Sequence, residues 1–228
     1  MSERFSRQAR IIGEEKMNVL KNSSVIVFGL GGVGGAAAEA LVRGGIGKIA
    51  IVDKDVVDIT NLNRQIIATE ETVGMKKTDA AEKRFLSINP DLIVKKFDIF
   101  YLPETADEIN LSDYDFIIDA IDNVTAKIEL IVRAEKQGVP IISSMGTGNK
   151  LSPEMLEIAD VYKTSVCPLA RVMRRELKNR GVKKLKVIYS KEEPIKTVSS
   201  VPGSISFTPP VAGYLAASYV IKKLIENI

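Results

Sequence analysis

Short runs of β-prone apolar residues alternate with amphipathic stretches of helical length along the first two thirds of the chain. The apolar runs lie at 25–28, 49–52, 92–97, 114–120 and 140–144. Helical segments follow the first, second and fourth of these runs. Because parallel strands of one sheet are joined through helices, the alternation predicts a doubly wound, mostly parallel α/β sheet. An amphipathic helix over residues 4–21 is predicted to cap that sheet.

The pattern changes after Lys150. The sequence predicts strands at residues 155–162 and 185–189, which flank a predicted helix from 168 to 180. A terminal helix is predicted to begin at Pro209-Pro210. We therefore predict one domain over residues 1–228. It comprises a core at 1–150 and a C-terminal α/β extension at 151–228, which contains a basic helix and the C-terminal helix.

A glycine-rich turn follows the first strand directly. Gly29, Gly31 and Gly34 have the spacing that permits a tight turn, close approach of backbone N–H groups to a phosphate, and packing of the next helix on its strand. The positive end of that helix would face the anion. The second strand ends at Asp53, at the distance expected for a carboxylate that binds a ribose hydroxyl. Together these features predict a Rossmann-like fold with a nucleotide site.

Three further polar segments are predicted at the carboxyl edge of the sheet, where open α/β sheets bind ligands. They contribute amide side chains, two cations and a carboxylate: Asn61, Arg64, Gln65, Lys77, Asp122 and Asn123. Cations and N–H groups can neutralise charge that develops on phosphate, and a carboxylate can hold Mg²⁺. The set favours attack on phosphorus, whereas NAD-dependent dehydrogenation would leave these segments without a role.

Composition narrows the chemistry further. The 228 residues carry a net charge of +3, no histidine and one cysteine. The absence of histidine excludes Ser-His and Cys-His nucleophiles and histidine metal ligands. A single cysteine excludes intramolecular disulfides and a four-cysteine zinc site, so a reducing cytoplasm is the simplest location. The longest apolar run near the end, at 211–221, is too short to span a bilayer, and no membrane association is predicted.

Six separated motifs carry a resemblance to a known family. RFSRQ, GLGGVG, VDKD, TNLNRQ, GMKK and DAIDN occur in this order between Arg4 and Ser144. They resemble the ThiF/MoeB-like family, relatives of the ubiquitin-activating enzymes, whose members adenylate a carboxylate with ATP and Mg²⁺. The resemblance implies an ATP site made of Gly29, Gly31, Gly32, Gly34, Asp53, Asp55, Asn61, Arg64, Gln65, Lys77, Asp122 and Asn123.

The same resemblance assigns catalytic roles. Asn61 and Arg64 would contact the phosphates, and Lys77 would stabilise the developing charge. Asp122 would hold Mg²⁺. Arg7 resembles the arginine that such enzymes supply across a homodimer to the neighbouring subunit's ATP. A homodimer is therefore expected.

The extension resembles one branch of the family. Residues 164–177 and 201–207 are similar to segments of tRNA threonylcarbamoyladenosine dehydratases. This resemblance implies adenylation of the threonylcarbamoyl carboxylate on a tRNA adenosine, followed by ring closure and release of AMP. Three alternatives stay open: a zinc-free activator of the C-terminal glycine of a ubiquitin-like sulfur carrier, a nucleotide-binding adaptor, and a dehydrogenase. A sulfur-relay protein is a further candidate partner.

Charge and thiol chemistry add two candidate features to the extension. Between Arg171 and Lys191 nine cations stand against one acid, which favours tRNA phosphates over a solvated helix face. The candidate tRNA contacts are Arg171, Arg174, Arg175, Lys178, Lys183 and Lys184. Cys167 precedes a proline at a predicted helix start, which suits a nucleophile, although a small residue in a helix cap gives the same pattern.

Overall fold

A computed structural model describes residues 3–198 and 201–226. Within these residues one sheet contains the strands β1 (Ser24–Phe28), β2 (Lys48–Val52), β3 (Ile93–Phe97), β4 (Phe116–Asp119), β5 (Ile141–Ser144), β6 (Leu156–Asp160) and β7 (Lys186–Ser190). The strand order is β3-β2-β1-β4-β5-β7-β6, and only the β6–β7 pair is antiparallel. The predicted doubly wound, mostly parallel sheet is confirmed, and the extension contributes two strands to it.

The α-helices of the same residue ranges are α1 (Ser6–Ile12), α2 (Glu14–Asn22), α3 (Gly32–Arg43), α4 (Lys77–Ile88), α5 (Val124–Gln137), α6 (Pro168–Asn179) and α7 (Thr208–Ile225). The prediction of one helix over residues 4–21 is wrong, because Gly13 separates α1 from α2. Its φ of +85° lies outside the helical region, and glycine adopts this value without a steric penalty. None of these helices is both long and apolar enough to cross a membrane.

The C-terminal helix packs closely against the helix that follows the glycine turn. A Cβ atom at Gly213 of α7 would lie 2.3 Å from the carbonyl oxygen of Val33 in α3. A Cβ at Gly44 would likewise lie 2.6 Å from Ile221. Small residues therefore permit the close contact of α3 with α7, and the extension is built onto the helix that begins at the candidate nucleotide site.

Strand β1 is the point at which the order of the strands along the sheet reverses. The chain goes from β1 to β2 and β3 on one side, and it returns to β4 and β5 on the other. Such a reversal opens a crevice at the carboxyl ends of the strands, which is the usual ligand site of an open α/β sheet.

Candidate active site

A cavity of about 720 Å³ lies at the carboxyl ends of β1, β2, β4 and β5. Most of the residues predicted to bind ATP line it: Gly29, Gly31, Gly32, Asp53, Asp55, Arg64, Gln65, Lys77, Asp122 and Asn123. The predicted residues Gly34 and Asn61 lie outside its wall. The structure thus brings together five short segments that span residues 29 to 123.

The three glycines of the turn meet three different surroundings. Gly29 has a φ of +86°, and a Cβ there would lie 2.7 Å from the carbonyl oxygen of Ala120. A Cβ at Gly31 would meet no heavy atom within 4 Å, and this residue lines the cavity. A Cβ at Gly34 would lie 1.8 Å from the carbonyl oxygen of Gly29. Gly34 therefore lets α3 pack on its own strand, and Gly31 leaves space beside the helix N-terminus for an anion.

Asp53 is tied to the glycine turn. Its carboxylate accepts the backbone N–H groups of Leu30 at 2.7 Å and Asp55 at 2.9 Å. Burial raises the pKa of Asp53 above its ordinary value, and the nearby Lys77 ammonium opposes that rise. Nζ of Lys77 lies 3.1 Å from Asp55 and 3.9 Å from Asp53, and the lysine is only 7% exposed. A buried cation is thus held at the cavity by two carboxylates.

Arg64 enters the cavity from the loop after β2. Its guanidinium donates to the carbonyl oxygen of Thr60 at 3.0 Å and to Oδ1 of Asn63 at 2.8 Å. The adjacent Gln65 is buried and lines the cavity, and its Oε1 has no hydrogen-bond partner. One cation and one amide therefore reach the cavity from this loop.

Asn61 has a local structural role. Its Oδ1 accepts the backbone N–H of Asp58 at 3.1 Å, and the Asp58 carboxylate caps the same short helical turn. This reciprocal capping box holds the Asn61 amide away from the cavity wall. The structure does not place Asn61 among the residues that line the cavity, so its contact with phosphate stays a prediction. An Asp followed three residues later by an Asn was the sequence signal for the capping box.

Asp122 and Asn123 follow β4. Asp122 is exposed on the cavity wall, whereas Oδ1 of Asn123 accepts the N–H of Ala126 at 3.0 Å and caps α5. Residues 3–198 and 201–226 contain no group of three or more His, Cys, Asp or Glu that would hold a metal alone. A single carboxylate beside a phosphate site still fits Mg²⁺, which is usually bound by one or two carboxylates together with substrate phosphates.

Several cavity residues were not predicted from the sequence. Phe100 and Tyr101 follow β3, residues 146–148 follow β5, and Leu169, Ser204 and Pro209 come from the extension. The turn at 146–148 was recognisable, since it follows a strand that ends at the same sheet edge. The extension residues reach the cavity through tertiary packing and left no local signal.

The segment 201–207 is fastened beside the cavity by two asparagines. Asn149 donates its N–H to the carbonyl oxygen of Gly203 at 2.8 Å, and its Oδ1 accepts the N–H of Gly203 at 2.6 Å. Nδ2 of Asn63 donates to the carbonyl oxygen of Ser204 at 3.1 Å. Because Asn63 also accepts from Arg64, one amide links this segment to a predicted catalytic cation.

Three predicted residues lie apart from the cavity. Arg7 is exposed on α1 and does not line the cavity of its own chain. Cys167 is 2% exposed and packs in an apolar cluster with Met173 and Val187, so the structure does not present this candidate nucleophile to the cavity. The guanidinium of Arg174 donates to the carbonyl oxygen and hydroxyl of Thr164, and that bonding occupies it within the protein.

The other predicted tRNA contacts are on the surface. Arg171, Arg175 and Lys178 are exposed on α6, and Lys183 and Lys184 are exposed in the connection to β7. Arg175 also lies 3.0 Å from Glu176, the one acid of the run. The basic helix begins at the cavity, where Leu169 lines the wall.

Comparison with known proteins gives one consistent result. The ThiF family profile matches residues 5–227. The tRNA threonylcarbamoyladenosine dehydratase of Bacillus subtilis is 42% identical, with 100% of this chain and 97% of that protein covered. The enzyme of the same name from Escherichia coli is 37% identical over 78% of this chain and 66% of that protein.

Solved structures agree. The E. coli dehydratase in complex with AMP matches with a TM-score of 0.93 and 33% identity, covering 99% of this chain and 95% of that one. The same enzyme in complex with ATP matches with a TM-score of 0.91, 32% identity and the same coverage. The family inferred from the six motifs is confirmed, and the chain belongs to the ThiF family.

Proposed function

We propose that the protein is an ATP-dependent tRNA threonylcarbamoyladenosine dehydratase. It would adenylate the carboxylate of N6-threonylcarbamoyladenosine in tRNA and cyclise that group with release of AMP. The observation that carries the proposal is the cavity shared by the nucleotide-binding core and the extension, in a chain similar over its full length to enzymes of that name. The relatives favour this reading over activation of a sulfur carrier.

The core residues would bind and orient ATP. Backbone N–H groups at Gly31 and Gly32 and the N-terminus of α3 would face the phosphates, and Asp53 would hold the ribose. Arg64 and Lys77 would balance the charge that grows on the phosphate oxygens during displacement. Such preorganised donors are each worth on the order of 10²–10³ in rate. Asp122 would hold Mg²⁺ together with the phosphates, and this ion would neutralise charge on the departing pyrophosphate.

The proposed reaction has two steps. Neither step needs an oxidant, and neither needs a histidine as a base. A carboxylate oxygen of the tRNA modification attacks the α-phosphorus, forms a C–O–P linkage and expels pyrophosphate. An atom of the same modification then attacks the activated carbonyl carbon and expels AMP, and the attacking group releases one proton to the departing phosphate or to solvent. The oxygen that is lost as water in the net reaction leaves on AMP. Neither step requires an enzyme thioester, in keeping with the burial of Cys167.

The extension would bind tRNA. The exposed cations of α6 and of residues 183–184 would pair with backbone phosphates, and their contacts would make the affinity strongly dependent on salt. Because α6 begins at the cavity, a tRNA held along this helix would present a nearby base to the cavity. Action on tRNA would place the enzyme in the cytoplasm. Docking of a sulfur-relay protein stays a prediction.

A homodimer would complete the site. Arg7 is exposed on α1 and does not reach the cavity of its own chain, which agrees with a role across a two-fold interface. The arginine would then add a further cation to the partner subunit's triphosphate site.

The test is mass spectrometry of nucleosides from threonylcarbamoylated tRNA that has been incubated with protein, ATP and Mg²⁺. We expect the modified adenosine to lose the mass of one water, with AMP formed in equal amount. Asp122→Ala should abolish the change, whereas Asp91→Ala, an exposed carboxylate at the opposite edge of the sheet, should not. No change on tRNA, together with ATP–pyrophosphate exchange induced by a Gly-Gly-ended carrier protein, would overturn the proposal in favour of a sulfur-carrier activator.

A further inference from the structure

A fully buried ion pair lies directly behind the turns that line the cavity. Lys127 of α5 and Asp119 at the end of β4 are both 0% exposed, and their charged atoms are 2.8 Å apart. Neither residue lines the cavity, and the ATP chemistry described above uses neither of them. A buried pair of this kind needs an explanation, because desolvating two charges is costly.

All hydrogen-bonding capacity of the Lys127 ammonium is used. It donates to Oδ2 of Asp119 at 2.8 Å, to Oγ of Ser143 at 3.2 Å and to the carbonyl oxygen of Ser144 at 3.0 Å. An ammonium group has three donors, so the set is complete. The backbone N–H of Lys127 also donates to the carbonyl oxygen of Asn123 at 3.0 Å.

The Asp119 carboxylate is equally occupied. Its Oδ2 accepts the hydroxyl of Ser143 at 2.6 Å as well as the Lys127 ammonium. Its Oδ1 accepts the backbone N–H of Ile121 at 3.1 Å. The network therefore contacts the turn after β4 through Ile121 and the turn after β5 through Ser144, and both residues line the cavity.

These two turns carry the parts of the site that must be correctly spaced. The first, residues 120–123, presents Asp122. The second, residues 144–148, comes at the end of the neighbouring strand β5 and also lines the cavity. The β4–β5 ladder ends at the pair Asp119 and Ser143, and the Lys127 ammonium donates to the Ser144 carbonyl just beyond it. Lys127 therefore adds a restraint where the backbone ladder stops.

Stability alone does not account for the ion pair. Replacing a buried ion pair by apolar residues of similar volume is often neutral or stabilising, so a folded sheet does not require it. Hydrogen bonds to charged groups are directional and strong, whereas apolar contacts are not directional. The network therefore fixes the direction of two turns in a way that an apolar core cannot.

We propose that Lys127 and Asp119 are positioning residues. Through the N–H of Ile121 and the carbonyl oxygen of Ser144, they hold the Asp122 turn and the 144–148 turn at the spacing that adenylation needs. The inference rests on the proposed function for its kinetic consequence. Its structural consequence, the restraint of the two turns, can be measured without any activity.

The double variant Lys127→Met/Asp119→Asn tests this role, because it removes both charges and keeps the side-chain volumes close to those of the wild type. We expect a folded protein whose affinity for AMP changes less than about tenfold. At saturating ATP, kcat should fall on the order of 10²-fold, as expected when reacting groups are displaced by about 1 Å. Lys127→Arg, which keeps the charge and donors, should recover most of the rate lost in Lys127→Met.

Two further measurements separate positioning from stability. Backbone amide hydrogen exchange should accelerate at residues 120–123 and 144–148 in the double variant. The matched control Glu39→Gln/Arg84→Met removes another carboxylate that is buried and paired, but one that does not line the cavity. Whatever its effect on the unfolding midpoint, this control should leave kcat and the exchange at the two turns unchanged.

Wild-type kcat and unchanged exchange at both turns in the double variant would overturn the inference. If that variant does not fold, Ser143→Ala decides instead, because it removes one link between the two charged groups and keeps both of them. Wild-type kcat and exchange in Ser143→Ala would then overturn it. An inactive wild-type protein would refute the proposed function, and the exchange data would still decide whether the pair restrains the turns.

Discussion

Alanine substitutions at Gly31 and Gly34 should separate nucleotide binding from folding. At Gly34 the added Cβ would lie 1.8 Å from the carbonyl oxygen of Gly29, so α3 or the glycine turn must shift. Overpacking of this kind costs about 1–3 kcal/mol. In a protein of this size each kcal/mol lowers the unfolding midpoint by roughly 2–4 °C, so we expect a decrease of roughly 2–12 °C.

At Gly31 the same methyl group meets no protein atom. The backbone φ of −72° suits alanine, and the residue is the N-cap of α3. Loss of a glycine N-cap costs about 0.5–1 kcal/mol, and the reduced entropy of the unfolded chain offsets about 0.4–1 kcal/mol. The stability should therefore stay almost unchanged. The methyl group would occupy space beside the amides that we propose bind the ATP phosphates, so ATP affinity should fall by about tenfold or more, equivalent to about 1.4 kcal/mol.

Thermal unfolding with and without ATP, together with titration calorimetry, measures both effects. Gly31→Ala should keep the unfolding midpoint of the nucleotide-free protein and lose the increase that ATP causes, whereas Gly34→Ala should unfold at a lower temperature without nucleotide. Gly35→Ala is the matched control in the same helix, since its Cβ would make an ordinary 3.5 Å contact with Ile66. Unimpaired ATP binding by Gly31→Ala would refute the assignment of this residue to the phosphate site.

Three other outcomes are expected. Because burial raises the pKa of the Asp53 carboxyl above its ordinary value of 3.8, the nucleotide-free wild type should gain stability relative to Asp53→Asn as the pH falls from 7 towards 3.8. Calorimetry of both proteins across pH measures this difference, and a difference that is independent of pH would contradict the reasoning. Cys167→Ala should retain dehydration of modified tRNA in the nucleoside assay, and complete loss would argue for a thioester. A 1:1 mixture of Arg7→Ala and Asp122→Ala subunits should regain about a quarter of wild-type turnover if Arg7 acts across a two-fold dimer, and none if it acts within its own chain.

The core of the fold and most of its polar site were predictable, because each element carries a local signal. A strand that ends in a glycine turn places Gly31 at a helix N-terminus, and this placement depends only on the local sequence. Lys77 and Asp122 follow strands or begin helices at one sheet edge, so the alternation of elements suffices to bring them together. The prediction of one helix over residues 4–21 was wrong because the amphipathic period continues through Gly13, where the helix ends. The contact of Asn61 with phosphate stays a prediction, since the same residue also suits the helical cap that the structure shows.

The cavity residues of the extension could not be predicted from the sequence, because distant contacts place them there. Ser204 and Pro209 reach the cavity only because α7 packs on α3 and Asn149 fastens the segment 201–207, and both contacts join residues more than 50 positions apart. Asn63 then links Ser204 to Arg64. An activated carboxylate is easily hydrolysed, so closing its site with protein rather than water favours ring closure. The same amide that orients Arg64 thus ties nucleotide activation to the part of the chain that would cover the substrate.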